Sequence, residues 1–386
     1  MRRIGALVAA GAATVTLAAG TITPATAGTP MSGVQPSAAA AENSSAPARS
    51  ADTRSDVRPY ERILDDLLEA EPVGGVLHAR TSTGEVGAAR GVADERSQRE
   101  ANPHDRYRIG SNTKTMTSVI VLQLVDEGQL SLDDSVAELL PRFDLDDRIT
   151  VRHLLQQTSG FPQDTMLWKE ESDYQKYRYR YLSPDWLVRT ALTHPDPRPK
   201  PGTEWEYSNT NYVLAGLVVE QVTGHTMRAE IEDRIIRPLR LRDTSFSDTH
   251  PFVFGPHLRG YYVDGRDTTV YSMSYAWSAG NVTSTAEDQT TFLRALLDGE
   301  LLDADTLDTM LDPGEFGYGL GIVPTELPCG GTAYGHDGAV FGYQSANFAT
   351  MDGRSAAIGL NAWILDQDTG VVDPAVIQSA LQALCV

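Results

Sequence analysis

Ser111 and Lys114 stand three residues apart at the start of a long helical pattern, which places both side chains on one helical face. A serine hydroxyl alone is a poor nucleophile and needs an adjacent base. A lysine serves as that base only where burial or neighbouring positive charge favours its neutral form. A helix start adds backbone N–H groups able to stabilise a developing oxyanion. The plainer alternative is a capping serine beside a solvated lysine. Only four of the 32 cationic residues are lysines, however, and this is the one S-x-x-K in the chain.

Two further constellations could join it. Tyr207-Ser208-Asn209 is the one Y-x-N, 96 residues after Ser111, and Asn209 could equally be the cap of a following helix. His336-Asp337-Gly338 comes 129 residues after Tyr207, at the end of an expected strand, where His336 could also be an ordinary satisfied polar residue.

The elements that must position these residues follow from periodicity. Ile63, Leu64, Leu67 and Leu68 share one helical face between Arg58 and Glu71, with Pro59 suited to a first turn. A hairpin is expected from Val73–Arg80 and Val86–Val92 around Thr81-Ser82-Thr83-Gly84. The long helix from Ser111 turns Met116, Val119, Ile120, Leu124 and Val125 inward and ends at Gly128. Between about 126 and 275 the patterns are helical, over 147–157, 184–193, 209–222 and 229–237. Strands return at Tyr318–Val323, Thr332–His336, Gly342–Thr350 and Ser355–Leu360, with Asp352-Gly353 as a type I′ hairpin signal. A last helix runs from Asp373 to Leu384. The expected fold class is α/β (α+β): an antiparallel sheet built from 58–125 plus 276–386, flanked by terminal helices, with a mainly helical domain inserted over 126–275.

Composition narrows the function classes. A net charge of −20 without a basic cluster argues against nucleic-acid partners and against an anionic membrane surface. Arg2 and Arg3, the apolar run Ile4–Ile22 and the small-residue site Ala25-Thr26-Ala27 read as a signal peptide over 1–27, so a secreted protein without a membrane anchor is expected. Residues 28–57, rich in Ala, Ser, Pro and Gly, read as a disordered leader. An oxidising compartment makes a Cys329–Cys385 disulfide the natural reading, with two buried thiols as the alternative. No metal-ligand spacing occurs, so no metal or other cofactor is expected.

Together, S-x-x-K, Y-x-N and H-x-G resemble the active-site set of the penicillin-recognising serine hydrolases. Leu154-Leu155-Gln156-Gln157-Thr158-Ser159-Gly160, the Pro201-Gly202 to Asn209 block and Tyr318-Gly319-Leu320-Gly321 extend that resemblance over about 58–386. It implies a β-lactamase/transpeptidase-like fold, with Tyr and His at the second and third motifs similar to secreted D-alanyl-D-alanine carboxypeptidases and their esterase and D-aminopeptidase relatives. It also implies that Ser111 forms an acyl-enzyme, Lys114 helps take its proton and Tyr207 passes that proton to the leaving amine. Asn209 would hold the substrate amide and His336 would complete the proton and electrostatic network. The N–H groups of Ser111 and Ala339 would form the oxyanion hole, with Asp337, Gly338, Ala339 and Trp277 lining the substrate site; Trp277 could equally be core.

Two departures touch the substrate. Where the carboxypeptidase branch holds a terminal carboxylate with hydroxyl residues and an arginine, this chain has Asp337, Ala339 and Gly321-Ile322-Val323-Pro324-Thr325-Glu326. A carboxylate facing another at 4 Å costs about 1 kcal/mol in water and more in a dry cleft. The reading is therefore a secreted, monomeric serine D-alanyl-D-alanine carboxypeptidase acting on peptidoglycan-type D-Ala peptides, with β-lactams as acylating ligands. Alternatives are an esterase, D-aminopeptidase, amidase or β-lactamase of the same fold, or a β-lactam-binding module that never turns over. A separate possibility is a degenerate nucleophile elbow at Ala276-Trp277-Ser278-Ala279-Gly280, with Asp298 or Asp312 and His336 completing a triad.

Overall fold

In the computed structural model, residues 56–69, 74–162, 175–194, 198–247, 249–262, 264–362 and 372–386 are described. The expected signal peptide, and the leader as far as residue 55, lie outside them.

Six strands form one antiparallel sheet: β1 Gly75–Thr81, β2 Gly84–Arg90, β3 Val323–Glu326, β4 Thr332–Val340, β5 Tyr343–Thr350 and β6 Ser355–Leu360. Their order is β2-β1-β6-β5-β4-β3, so the N-terminal hairpin is completed by the C-terminal strands, with Gly75 opposite Leu360 and Arg80 opposite Ser355. Alternation along β5 separates two apolar clusters. Ala346 and Phe348 pack with Tyr60, Ile63 and Leu64 of helix α1 (Arg58–Leu68) and with Val376, Ala380 and Leu381 of the C-terminal helix Pro374–Ala383. On the opposite face lie the other helices, among them α2 (Thr113–Asp126) and α3 (Asn209–Thr223). Both α2 and α3 are buried nearly all round, which explains why neither shows a clean polar face in sequence.

Residues 126–275 carry the expected helices, two in shortened form at Val151–Leu155 and Pro184–Leu192 and the third as α3, while the 229–237 pattern divides into Met227–Ile231, a π-helical turn Glu232–Ile236 and Arg237–Leu239. The segment also contributes Ser245–Phe246 to a small sheet with Tyr107–Arg108 and Val282–Ser284. Residues 52–386 cluster as one compact unit. Among the described residues no helix is long and apolar enough to cross a membrane.

Three expectations change. Tyr318–Ile322 is a turn and the strand begins only at Val323; Gly321 adopts φ +81° and Gly319 N–H donates to the Ile322 carbonyl. Second, β4 does not end at His336 but continues to Val340, because β5 supplies partners from Ala333 through Val340. Third, the β5–β6 connection is not type I′, which needs positive φ at both central residues. Only Gly353 has it, and the Thr350–Arg354 pair closes a three-residue loop. The Cys329–Cys385 disulfide is formed and ties the start of β4 to the end of the last helix.

Candidate active site

Ser111 sits in a single 3₁₀ turn, Gly110–Asn112, immediately before α2. That turn lies directly against β4. A Cβ on Gly338 would fall 2.0 Å from the Ile109 carbonyl oxygen and 2.9 Å from Ser111 N, and one on Gly110, at φ +54°, would fall 2.9 Å from Ala339 N. Glycine at both positions is therefore what lets the backbone N–H groups of Ser111 and Ala339 come together beside the serine side chain. Asn112 Nδ2 and the Ser345 hydroxyl both donate to the Ile109 carbonyl and fix the turn on the sheet.

At the second residue of α2, Lys114 is fully buried, with Nζ 3.0 Å from Ser111 Oγ, 2.7 Å from Asn209 Oδ1 and 2.9 Å from the Ala279 carbonyl oxygen. Two of these are pure acceptors, so they orient two N–H bonds of the amine. Its remaining valence points at the serine hydroxyl, where a neutral amine could accept the proton. The ring of Tyr207 lies 4.8 Å from Nζ. Tyr207 is also 6.2 Å, centroid to centroid, from the ring of His336. The structure thus gathers Ser111, Lys114, Tyr207, Asn209, His336, Gly338 and Ala339 around one serine.

Asn209 is not a cap. Ser208 holds that position and Asn209 is the first residue of α3, leaving its side chain for Lys114. The loop that presents Tyr207 and Asn209 is held from the Leu154–Gly160 block. Gln157, at φ +63°, accepts through Oε1 from Ser208 N–H at 3.0 Å and from Asn211 Nδ2 at 2.6 Å, and Ser159 Oγ donates to Asn211 Oδ1. A non-glycine residue in the left-handed region beside a site is strain that these bonds sustain.

His336 is 2% exposed. Its Nδ1 is 2.5 Å from the Asp337 carbonyl oxygen and its Nε2 3.0 Å from Tyr318 Oη. Burial pushes its pKa below the ordinary histidine value; the nearby Asp337 carboxylate opposes this and Lys114 reinforces it. Burial pushes the Tyr318 phenol well above its ordinary value. The Asp337 side chain is about one-third exposed, with Oδ1 4.0 Å from His336 Nδ1.

Trp277 does not line an open cleft. It is 4% exposed, lies in the hydrophobic core and packs on α3, where a Cβ at Gly216 would meet its ring at 2.9 Å. Its φ of +32° shapes the short turn Trp277–Gly280, whose carbonyls at Ser278 and Ala279 accept from Thr117 Oγ1 and Lys114 Nζ. Nor is Ser278 a nucleophile: it is fully buried, and its hydroxyl donates to the Tyr212 carbonyl at 2.8 Å. Asp298 is paired with Arg294 instead of completing a triad.

Sequence reasoning missed two aromatic residues. Trp205 is 42% exposed and lies tilted against two rings, with centroids 6.3 Å from Tyr207 and 5.9 Å from Tyr318. Tyr318 is buried on His336. Both lie within the blocks that carried the resemblance, but neither spacing nor periodicity marks them. Among the described residues no group of three or more His, Cys, Asp and Glu could hold a metal ion.

The sequence model of the Beta-lactamase family matches residues 60–369. Protein flp of Staphylococcus aureus (strain MW2) is 32% identical over 201 residues, covering 49% of this chain and 39% of that protein. The chain thus spans about two-fifths of the length of that relative. The putative penicillin-binding protein PbpX of Bacillus subtilis (strain 168) is 26% identical over 304 residues, 77% of this chain and 72% of its own. Among solved structures, a D-stereospecific amidohydrolase from Streptomyces sp. superposes with a TM-score of 0.73 at 35% identity, covering 80% of this chain and 95% of that one. A D-amino acid amidase from Ochrobactrum anthropi SV3, complexed with D-phenylalanine, gives 0.76 at 26% identity, covering 86% and 99%. With its serine, lysine, tyrosine and histidine motifs drawn onto one sheet edge and its length matched from residue 60 to 369, the chain belongs to the Beta-lactamase family of serine hydrolases and penicillin-binding proteins.

Proposed function

We propose that this protein is a secreted serine amidohydrolase acting through an acyl-enzyme on D-amino-acid amides and peptides. The observation that carries the reading is the 3.0 Å contact between Ser111 Oγ and a buried Lys114 Nζ, itself oriented by Asn209 and Ala279. Ser111 Oγ adds to the substrate carbonyl carbon while its proton passes to Lys114. The oxyanion is held by the N–H groups of Ser111 and Ala339. The C–N bond then breaks as Tyr207 gives its phenolic proton to the leaving nitrogen and is reprotonated from Lys114. Water then adds to the acyl carbon with its proton passing to Lys114, and the ester C–O bond breaks as Ser111 Oγ takes that proton back, releasing the D-amino acid. Asn209 and the uncovered edge of β4 beyond its pairing with Val323 hold the substrate amide.

The amide reading is favoured over D-alanyl-D-alanine carboxypeptidase by Asp337, a partly exposed carboxylate beside His336 at the position that in the carboxypeptidase branch receives the substrate's own carboxylate. Similarity to D-amino-acid hydrolases supports the same choice. Carboxypeptidase activity remains the second reading, since the Ser111, Lys114 and Tyr207 geometry serves either leaving group. β-Lactams, which present an amide that this serine can open, are proposed as acylating ligands.

The test is hydrolysis of D- and L-phenylalanine amide, a D-Ala-D-Ala peptide, a short ester and nitrocefin by wild type and Ser111→Ala. D-amide cleavage that disappears in Ser111→Ala supports the reading; equal rates in the two proteins overturn it. Faster cleavage of the dipeptide than of the D-amide transfers the conclusion to the carboxypeptidase. A persistent β-lactam adduct on Ser111 in intact-mass spectra, without turnover of any substrate, makes the protein a binding module.

A further inference from the structure

We propose that Tyr318 is a positioning residue that locks His336 in a single tautomer, so that His336 serves the reaction as a fixed neutral partner rather than as a group that gives or takes the substrate's proton. The assignment rests on donors and acceptors. The Asp337 carbonyl oxygen, 2.5 Å from Nδ1, can only accept, so Nδ1 carries a hydrogen. In the neutral ring Nε2 is then the acceptor, and the phenol 3.0 Å away must be its donor. Both ring nitrogens are thus bound within the protein, and a ring 2% exposed has little access to water or substrate.

The groups facing the ring agree with a neutral state. The Asp337 carboxylate, 4.0 Å from Nδ1, favours the imidazolium, but burial outweighs it and Lys114 opposes it. Tyr207 and Tyr318 complete the ring's surroundings, and the Tyr212 hydroxyl, which donates to the Leu155 carbonyl, meets Tyr318 as a second acceptor; the buried Tyr318 phenol keeps its proton and so stays a donor. Loss of that donor removes a bond only the neutral ring can accept, which raises the histidine's pKa.

The fold holds Tyr318 in place with care. Gly319 approaches the Met310 carbonyl oxygen so closely that a Cβ would fall 2.3 Å from it, and Leu320 N–H donates to that same carbonyl. Thr115 Oγ1 of α2 donates to the Gly321 carbonyl, and a Cβ there would fall 2.1 Å from Ser118 Oγ. Tyr-Gly-Leu-Gly is therefore a turn clamped to the helix that carries Lys114, and it aims one phenol at His336.

The mechanistic part of this inference rests on the serine hydrolase reading; the tautomer does not. The experiment is an NMR titration of the His336 ring in the whole protein, with pH–rate profiles on D-phenylalanine amide for wild type, Tyr318→Phe and His336→Gln. Expected for wild type is one Nδ1–H tautomer that takes up a proton only below the ordinary histidine range. Tyr318→Phe should raise the His336 pKa by about one unit, and move the acidic limb of kcat/KM with it. Its kcat should fall by about tenfold with KM within about threefold. His336→Gln, whose amide still meets Tyr318, should keep at least about a tenth of wild-type kcat and lose the acidic limb that Tyr318→Phe shifts. An Nε2–H tautomer in wild type, or a wild-type ring titrating near its ordinary value together with loss of more than about 10³-fold in His336→Gln, overturns the proposal. So does Tyr318→Phe that leaves both titration and kcat unchanged. The wild-type tautomer decides the structural claim even if Tyr318→Phe does not fold. Unaltered activity in Ser111→Ala would sink the hydrolase reading while leaving the tautomer standing.

Discussion

Asn209 Oδ1 accepts a 2.7 Å hydrogen bond from Lys114 Nζ across 95 residues of sequence. It joins the first residue of α3 to the helix that carries the nucleophile, so the amine is oriented by a segment remote from its own. Asn209→Ala should lower kcat by about 10²-fold, the scale on which a misdirected general base is felt. The fold should be retained, because Ser208 N–H and Asn211 are held independently by Gln157. Steady-state kinetics and circular dichroism together check this; an unchanged kcat would remove Asn209 from the orienting set.

Gly338 has no room for a side chain, with Ile109 O and Ser111 N both in the way. Gly338→Ala must push the Ser111 turn off β4, at about 1–3 kcal/mol of stability. The separated N–H groups should cost about 10²–10³ in kcat. Thermal melts and D-amide turnover measure the two effects, and full activity in this variant would mean that the turn has freedom the close contacts deny.

Asp337 should decide which leaving group is accepted. Asp337→Thr removes a negative charge and adds a hydroxyl, so the ratio of D-Ala-D-Ala peptide to D-amide cleavage should rise by about tenfold, or about 1.4 kcal/mol of relative barrier. Competition between the two substrates in one tube reads the ratio directly. No change in that ratio would take Asp337 out of the specificity argument.

The Cys329–Cys385 bridge closes a 56-residue loop, worth about 4 kcal/mol in the chain-entropy model. A Cys329→Ser/Cys385→Ser protein should unfold at lower denaturant concentration by about 2–4 kcal/mol. Its turnover at 25 °C should stay near wild type, because the bridge joins the segment before β4, seven residues ahead of His336, to the end of the last helix. Equal midpoints would show that the bridge adds no stability.

Stability should fall as pH drops through the histidine range. Burial lowers the pKa of both His78 and His336 below the ordinary value. Above about pH 6.5 both are neutral whether folded or unfolded. Below it the unfolded chain takes up protons that the folded chain refuses, and each histidine removes up to about 1.4 kcal/mol per pH unit until its folded pKa is reached. Melting temperature should therefore drop between pH 7 and pH 5, with a shallower slope in His78→Gln. A rise over that interval would contradict the assignment.

Much of this was written in the chain itself. The spacing of Ser111 and Lys114 is a local fact, because three residues along a helix start already share a face, whatever surrounds them. The hairpin Gly75–Arg90, α1 with Pro59 in its first turn, and the last helix behind Asp373 follow from the same kind of short-range rule, as does the type of residue a nucleophile and its base must be. Tertiary structure decided the rest, where the relevant neighbour is distant in sequence. His336 lies mid-strand because β5 pairs beyond it, Tyr-Gly-Leu-Gly is a turn because α2 and Met310 hold it, and Trp277 is core because α3 offers it a glycine. The proton on His336 was likewise illegible from its motif. A ring nitrogen is a donor or an acceptor only by virtue of the atom placed opposite, and here those atoms are a backbone carbonyl one residue away and a phenol eighteen residues earlier.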